Sequence, residues 1–196
     1  MAMMKRFFMA GYPGAVFPGR RGGIGLSRTA LLVVGLCWVS LAAGQTCNPQ
    51  MRHTTPYRQF KTSEDGNLVF DRKTGLTWRR CLLGMQWDGV ACAGPLKTYT
   101  WQQALAASQA STEHGFQDWR LPNVKELKSL VERACSSPAI NTRLFYGDPA
   151  GWIWTATPDA NSPENAWFVD FNYGYDVTNF KSFSYGVRLV RSGPER

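Results

Sequence analysis

The residues of this sequence that could carry chemistry are a few carboxylates, two histidines, five cysteines and one aromatic-rich run near the C-terminus. Asp118, Glu126, Glu132, Asp148, Asp159 and Asp170 could meet in space as an acid/base pair, but no spacing singles out two of them. A serine hydrolase would need a G-x-S-x-G elbow, and a phosphate loop would need G-x-x-x-x-G-K-[ST]; neither occurs. His53 and His114 stand apart from the cysteines, and no C-x-x-C spacing supports zinc, so both read as surface or loop residues. The sequence therefore points away from an enzyme. The run Phe171–Phe183, FNYGYDVTNFKSF, has two tyrosines and three phenylalanines among Asn, Gly, Ser and Thr. That is the composition of adaptable recognition surfaces, where rigid rings give area at low entropic cost and amides add hydrogen bonds. The same run could equally be a long hairpin with its rings turned to the core.

Charge and cysteines limit the partners and the compartment. The formal charge of +8 suggests nucleic acid until its position is considered. Lys5, Arg6, Arg20, Arg21 and Arg28 lie in the first 44 residues with no acid among them, and the remaining 17 bases and 14 acids leave +3. A basic groove for nucleic acid is not expected. The leading segment reads as a signal peptide over residues 1–44. A basic stretch ends at Arg28, the apolar run TALLVVGLCWVSLAAG follows, and small residues close it. Ala42 and Gly44 place the cut before Gln45, with a cut after Ala43 as the neighbouring option. The run is shorter than the roughly 20 residues of a spanning helix, so no membrane association is expected once it is removed. Cys37 lies in that leader. Cys47, Cys81, Cys92 and Cys135 remain, an even number that favours two disulfides in an exported chain. Of three possible pairings, Cys81 with Cys92 closes a short Gly- and Trp-containing loop, leaving Cys47 with Cys135.

The elements that must position these residues follow from periodicity and punctuation. Residues 45–59 read as an irregular N-terminal arm, 60–192 as one domain and 193–196 as a tail. FKTSEDGNLVFDRKTGLTWRR is a hairpin, with Leu68 and Phe70 alternating, a turn from Asp71 to Gly75, and Leu76 and Trp78 on the second strand. Thr100 with Gln103 predicts a capping box for a helix fading near Ser111, with Trp101, Ala104, Leu105 and Ala107 on its apolar face. Asn123 with Glu126 caps a second helix, with Val124, Leu127, Leu130 and Val131 on one face. Pro122 keeps Leu121 extended ahead of it. GWIWTAT, NAWFVDFNYGY and SYGVRLVR are strands, with Trp152 and Trp154 sharing a face of the first. Strands, two helices, then strands give an α+β domain whose helices pack on a mainly antiparallel, twisted sheet.

TGLTWRRC, Trp87, Cys92, YTWQQAL, DWRLPNVKELKSLV, PAIN, WIWTAT, AWFVDF and VRLVR stand in the order seen in the Lcl C-terminal domain family, and the sequence resembles that family over about residues 60 to 192. The resemblance implies a C-type-lectin-like fold and an exported bacterial domain, periplasmic or at the cell surface, of the kind found on adhesins. It implies binding of a glycan or a surface protein, with no established enzymatic activity. Trp78, Trp101, Trp119, Arg120, Pro122 and Arg188 match signature positions and are expected to be framework residues, and Cys81 and Cys92 match a cysteine-bearing subset. Calcium-dependent sugar binding would call for Glu-Pro-Asn and Trp-Asn-Asp signatures, which the sequence lacks, so no cofactor is expected and calcium has no support. In lectin-like folds the ligand surface lies on the later strands. Here that is the region from Trp152 to Tyr185, with Tyr173, Tyr175, Asn179 and Phe180 as the expected contacts. An assembly role in a surface complex is the alternative. For Arg120 the expected task is to join the helices to the terminal sheet, its planar fork held by carbonyls or a carboxylate.

Overall fold

Residues 44–147 and 151–194 are described by the computed structural model. The expected leader up to Ala43, Cys37 and Asp148 lie outside the described residues. In chain order the elements are β1 (Thr46–Cys47), β2 (Phe60–Thr62), β3 (Leu68–Asp71), β4 (Leu76–Arg79), β5 (Gln86–Trp87), β6 (Cys92–Ala93), α1 (Trp101–Gln109), α2 (Val124–Lys128), β7 (Cys135–Ser136), β8 (Trp152–Pro158), β9 (Asn165–Asp170), β10 (Tyr175–Phe180) and β11 (Val190–Ser192). The fold is α+β, and every ladder between these strands is antiparallel. The strands form a four-stranded sheet β11-β4-β3-β2, a three-stranded sheet β10-β9-β8 and two small ribbons, β1-β7 and β5-β6.

The two long hairpins turn by one device. In Asp71–Gly75 and in Asp170–Gly174 an aspartate ends the strand, and its Oδ1 accepts the backbone N–H two residues on, from Lys73 at 2.9 Å and from Asn172 at 2.7 Å. The glycine N–H then donates back to the aspartate carbonyl, at 2.8 and 2.7 Å. Gly75 and Gly174 have φ of 72° and 82°, the left-handed region in which a side chain is strained. Both aspartates are buried, because the turn itself consumes their charge.

Alternation alone misplaces the burial of β3 and β4. Alternation puts Leu68 and Phe70 on one face of β3, but Phe70 is half-buried while Val69 and Asp71 are fully buried. The four-stranded sheet is covered on both faces. Val69, Leu76 and Trp78 belong to a cluster with Leu127, Leu130, Val131, Leu144, Phe145, Ile153 and Val169. Leu68 belongs to another, with Trp119, Leu121, Trp154, Phe168, Tyr185, Val187 and Leu189. Strands buried on both faces lose their period of two.

Both helices start as their sequences dictate, each with a complete capping box. Helix α1 ends at Gln109, near the expected Ser111, but its fully buried positions are Ala104 and Ser108. The Ser108 hydroxyl is satisfied by the Ala104 carbonyl at 2.7 Å. Helix α2 is only five residues long, and Leu130 and Val131 reach the core from the turn that follows. Arg120 pairs its fork with the carboxylate of Glu126 at 2.7 and 2.8 Å, the same carboxylate that accepts the Asn123 N–H in the capping box. Its side chain thus braces the start of α2. The link to the terminal sheet is made instead by its backbone, in two 3.0 Å bonds with Val190.

Every residue from Tyr185 to Arg191 is buried, and this segment touches nearly every other part of the domain. Tyr185 exchanges backbone bonds with Tyr99, Gly186 bonds Trp152 and Trp154, Val187 receives Leu83, Leu189 receives Arg79, and Val190 pairs with Trp78 and Arg120. A Cβ added at Gly186 would come 2.8 Å from Cδ1 of buried Ile153, whose side chain would have to shift. Buried guanidinium groups hold the neighbouring loop. Arg79 donates to the carbonyls of Cys81, Leu82 and Met85 at 2.7–2.8 Å and faces the Glu113 carboxylate. Arg188 donates to the carbonyls of Arg79 and Arg80 and lies over Phe145. Trp78 and Trp119 are buried, Pro122 is buried with its carbonyl receiving Ala156 N–H at 2.7 Å, and half-buried Trp101 donates to the Thr155 carbonyl at 2.8 Å.

The arm is tied to the domain by β1-β7 pairing, by the disulfide Cys47–Cys135 and by Glu132. The other disulfide, Cys81–Cys92, closes the β5-β6 loop. Glu132 Oε1 accepts the N–H groups of Thr54 and Ala134, and Oε2 accepts the N–H and hydroxyl of Thr55, at 2.9–3.0 Å. Burial would raise its pKa, but these backbone donors outweigh burial and lower it from 4.5 to about 2.

Two tests follow from these contacts. Because the folded value lies below the unfolded one, the contribution of Glu132 is complete above about pH 4.5 and is lost as pH falls towards about 2. Glu132→Gln turns an amide N–H₂ against backbone donors, and thermal and urea unfolding at pH 7 should show a loss of roughly 2–4 kcal/mol. The variant should also lose the part of the acid dependence between those two pH values; an unchanged acid limb would refute the assignment. Arg120→Lys keeps the charge and removes the fork, so a loss of about 1–2 kcal/mol in the same assay is expected, with ligand binding unchanged.

Candidate functional surface

The three-stranded sheet β8-β9-β10 has two faces of different fate. On one, Ile153 and Val169 enter the core with Leu127 and Val131, and Lys128 of α2 pairs with Asp176 at 2.6 Å. The register places Trp152, Asp170 and Tyr175 in one row of the other face, and Trp154, Phe168 and Val177 in the next. There Trp154 and Phe168 are buried against Tyr185, with ring centroids 4.5 and 4.9 Å from it. Trp154 Nε1 donates to the Tyr99 carbonyl at 2.9 Å, so its one polar atom is satisfied.

This buried trio is the floor of an exposed aromatic face. Trp152 lies edge-on to Tyr185 at 5.2 Å and tilted on Phe168 at 5.9 Å, yet is 49% exposed. Phe183 lies nearly parallel to Tyr185 at 6.4 Å and is also 49% exposed. Val177 and Tyr175 on β10 continue the exposed face. Rings held by other rings keep their position without spending rotamer freedom on contact.

The four residues expected from sequence to contact a ligand do not form one cluster. Tyr173 and Tyr175 stack in parallel at 6.0 Å at the tip of the β9–β10 hairpin. Tyr173 is the more exposed and borders a groove with Thr46, Asn48, Met51 and Arg133 of the arm side. The Asp170 carboxylate, opposite Tyr175 in the register, pushes its phenol pKa up. Phe180 is exposed at the opposite end of β10, next to Phe183 at 6.5 Å. Asn179 is turned to structure. Its Nδ2 donates to the Tyr185 hydroxyl at 2.6 Å and its Oδ1 accepts the Phe180 N–H at 2.8 Å. Since the Lys181 N–H points back to Glu164 O, the Phe180 N–H lies on the outer edge of β10, and Asn179 blunts that edge.

Trp152, Val177 and Phe183 are the exposed residues that sequence reasoning left out of the contact set. Trp152 was placed on the same face as Trp154, but periodicity does not say that β8 overhangs its core at Trp152. Phe183 sat in the aromatic run, past the last strand residue.

Another concavity lies beside the arm. A cleft of about 260 Å³ is lined by Gln45, His53, Tyr57, Glu132, Asn141 and Arg143. The His53 side chain is 60% exposed and only its Nδ1 approaches Glu132, at 3.3 Å. Among the described residues no three His, Cys, Asp or Glu side chains gather as metal ligands, and no helix is long and apolar enough to cross a membrane.

No curated protein matches the chain. The family model of the Lcl C-terminal domain matches residues 67–191, which run from just before β3 into β11 and make up well over half of the sequence, and the chain belongs to that family.

Proposed function

We propose that the chain is an exported binding module of C-type-lectin-like fold that recognises a glycan or a protein at the cell surface or in the periplasm. The observation that carries this reading is the exposed face of Trp152, Val177 and Phe183 seated on buried Phe168 and Tyr185. Flat rings with fixed positions offer a stacking surface for the apolar faces of sugar rings or an anchor for a protein side chain, at small entropic cost. The paired tyrosines at the hairpin tip extend the same surface. Two disulfides suit an oxidising compartment outside the cytoplasm and agree with the leader read from the sequence. Neither catalysis nor a cofactor is needed in this reading.

A glycan array and a pull-down with the mature chain, each with and without calcium, test it. Trp152→Ala and Phe183→Ala should weaken binding roughly tenfold or more. Because both rings are half-exposed, the same variants should lose no more than about 1–2 kcal/mol of stability. Tyr173→Ala and Tyr175→Ala should weaken binding less, and calcium should change nothing. Loss of folding in the Trp152 and Phe183 variants would assign these rings to the core. Stable co-purification of partner proteins with no glycan signal and no effect of these variants would favour an assembly subunit.

A further inference from the structure

Among the described residues, Gln45 is the first whose side chain makes a specific contact. Gly44 before it is exposed, and a side chain added there would meet nothing within 4 Å. Gln45 Nε2 donates to the carbonyls of Pro138 and Ile140, both at 2.7 Å, and its Oε1 accepts the Thr142 hydroxyl at 3.0 Å. All the hydrogen-bonding capacity of the Nε2 group is thereby used, and the amide is held planar against the strand-like segment after β7. Two residues later the chain is fixed by the Cys47–Cys135 disulfide and by β1-β7 pairing.

A glutamine at a chain terminus ordinarily cyclises. The α-amine nitrogen attacks Cδ, a new C–N bond forms, the Cδ–Nε2 bond breaks, and Nε2 leaves as ammonia with the proton given up by the amine. The product is a lactam that has lost the N–H₂ group. We propose that the groove of Pro138, Ile140 and Thr142 is a receptor for the terminal glutamine of the mature chain, and that it keeps Gln45 from cyclising. This rests on the export reading above, in which the leader is cut before Gln45. The docked amide resists reaction for two reasons. Both Nε2 protons are donated to carbonyls, which stabilises the planar amide against the pyramidal leaving group. The side chain must also leave the groove and curl back on its own amine before the ring can close, so the rate falls with the fraction of time the groove is open. The groove is selective by charge, since a glutamate at this position would set a carboxylate against two carbonyl oxygens.

The test uses exported mature protein and its intact mass. The folded chain is incubated at neutral pH beside the same chain in urea, and cyclisation is read as loss of the mass of one ammonia. The folded chain should cyclise roughly tenfold more slowly or less, and Thr142→Val should speed it while the fold, checked by circular dichroism, is kept. Equal rates in the folded and unfolded chains overturn the proposal, as does freshly exported protein already cyclised. If Thr142→Val does not fold, the urea comparison on the unmodified chain still decides. A mature chain beginning at any residue other than Gln45 also overturns it, and N-terminal sequencing separates that failure of the cleavage reading from cyclisation, which blocks sequencing.

Discussion

The buried segment Tyr185–Arg191 is the constraint on which the domain depends. Its backbone carries bonds from the lead-in to α1, from β8, from the loop after β4, from β4 itself and from Arg120. Its side chains fill the second hydrophobic cluster, with Val190 reaching the first. It bonds both long sheets, β4 on one side and β8 on the other, where their side chains also meet in the two core clusters. A segment so enclosed has no free choice of residue. At Gly186 an added side chain would press on the end of Ile153, and at Arg188 a leucine would remove the donor to the carbonyls of Arg79 and Arg80.

The same segment connects frame and surface. Tyr185 is 4% exposed and belongs to the core, yet Trp152 and Phe183 rest on its ring and Asn179 holds its hydroxyl. The exposed aromatic face therefore inherits the rigidity of the most buried part of the chain. Its flanks are built differently. The tyrosine pair stacks at the tip of the β9–β10 hairpin, and Phe180 ends the edge strand β10.

Much of the architecture is legible in the sequence because it depends on local chemistry. Thr100 with Gln103 and Asn123 with Glu126 specify helix starts, Asp71 to Gly75 specifies a turn, and cysteine parity with a short loop specifies the disulfides. What is not legible depends on layers that meet from far apart. Phe70 lies half-exposed and Asp71 buried because β3 is covered on both faces, which no period of two reveals. The second helix stops after five residues although its apolar pattern continues, since Leu130 and Val131 reach the core equally well from a turn. The region of the candidate surface could be read from tyrosine among small polar residues. Its centre could not, because whether Trp152 or Trp154 is covered, and whether Asn179 faces outward, is decided by where Tyr185 comes to rest.

The bonds of Tyr185–Arg191 also reach far along the chain, to Trp78, Arg79, Leu83, Tyr99 and Arg120. The hairpins and the two capped helix starts close short loops, whereas pairings of this separation are rewarded only after a large loop-closure entropy has been met, which makes the docking of this segment a slow part of folding.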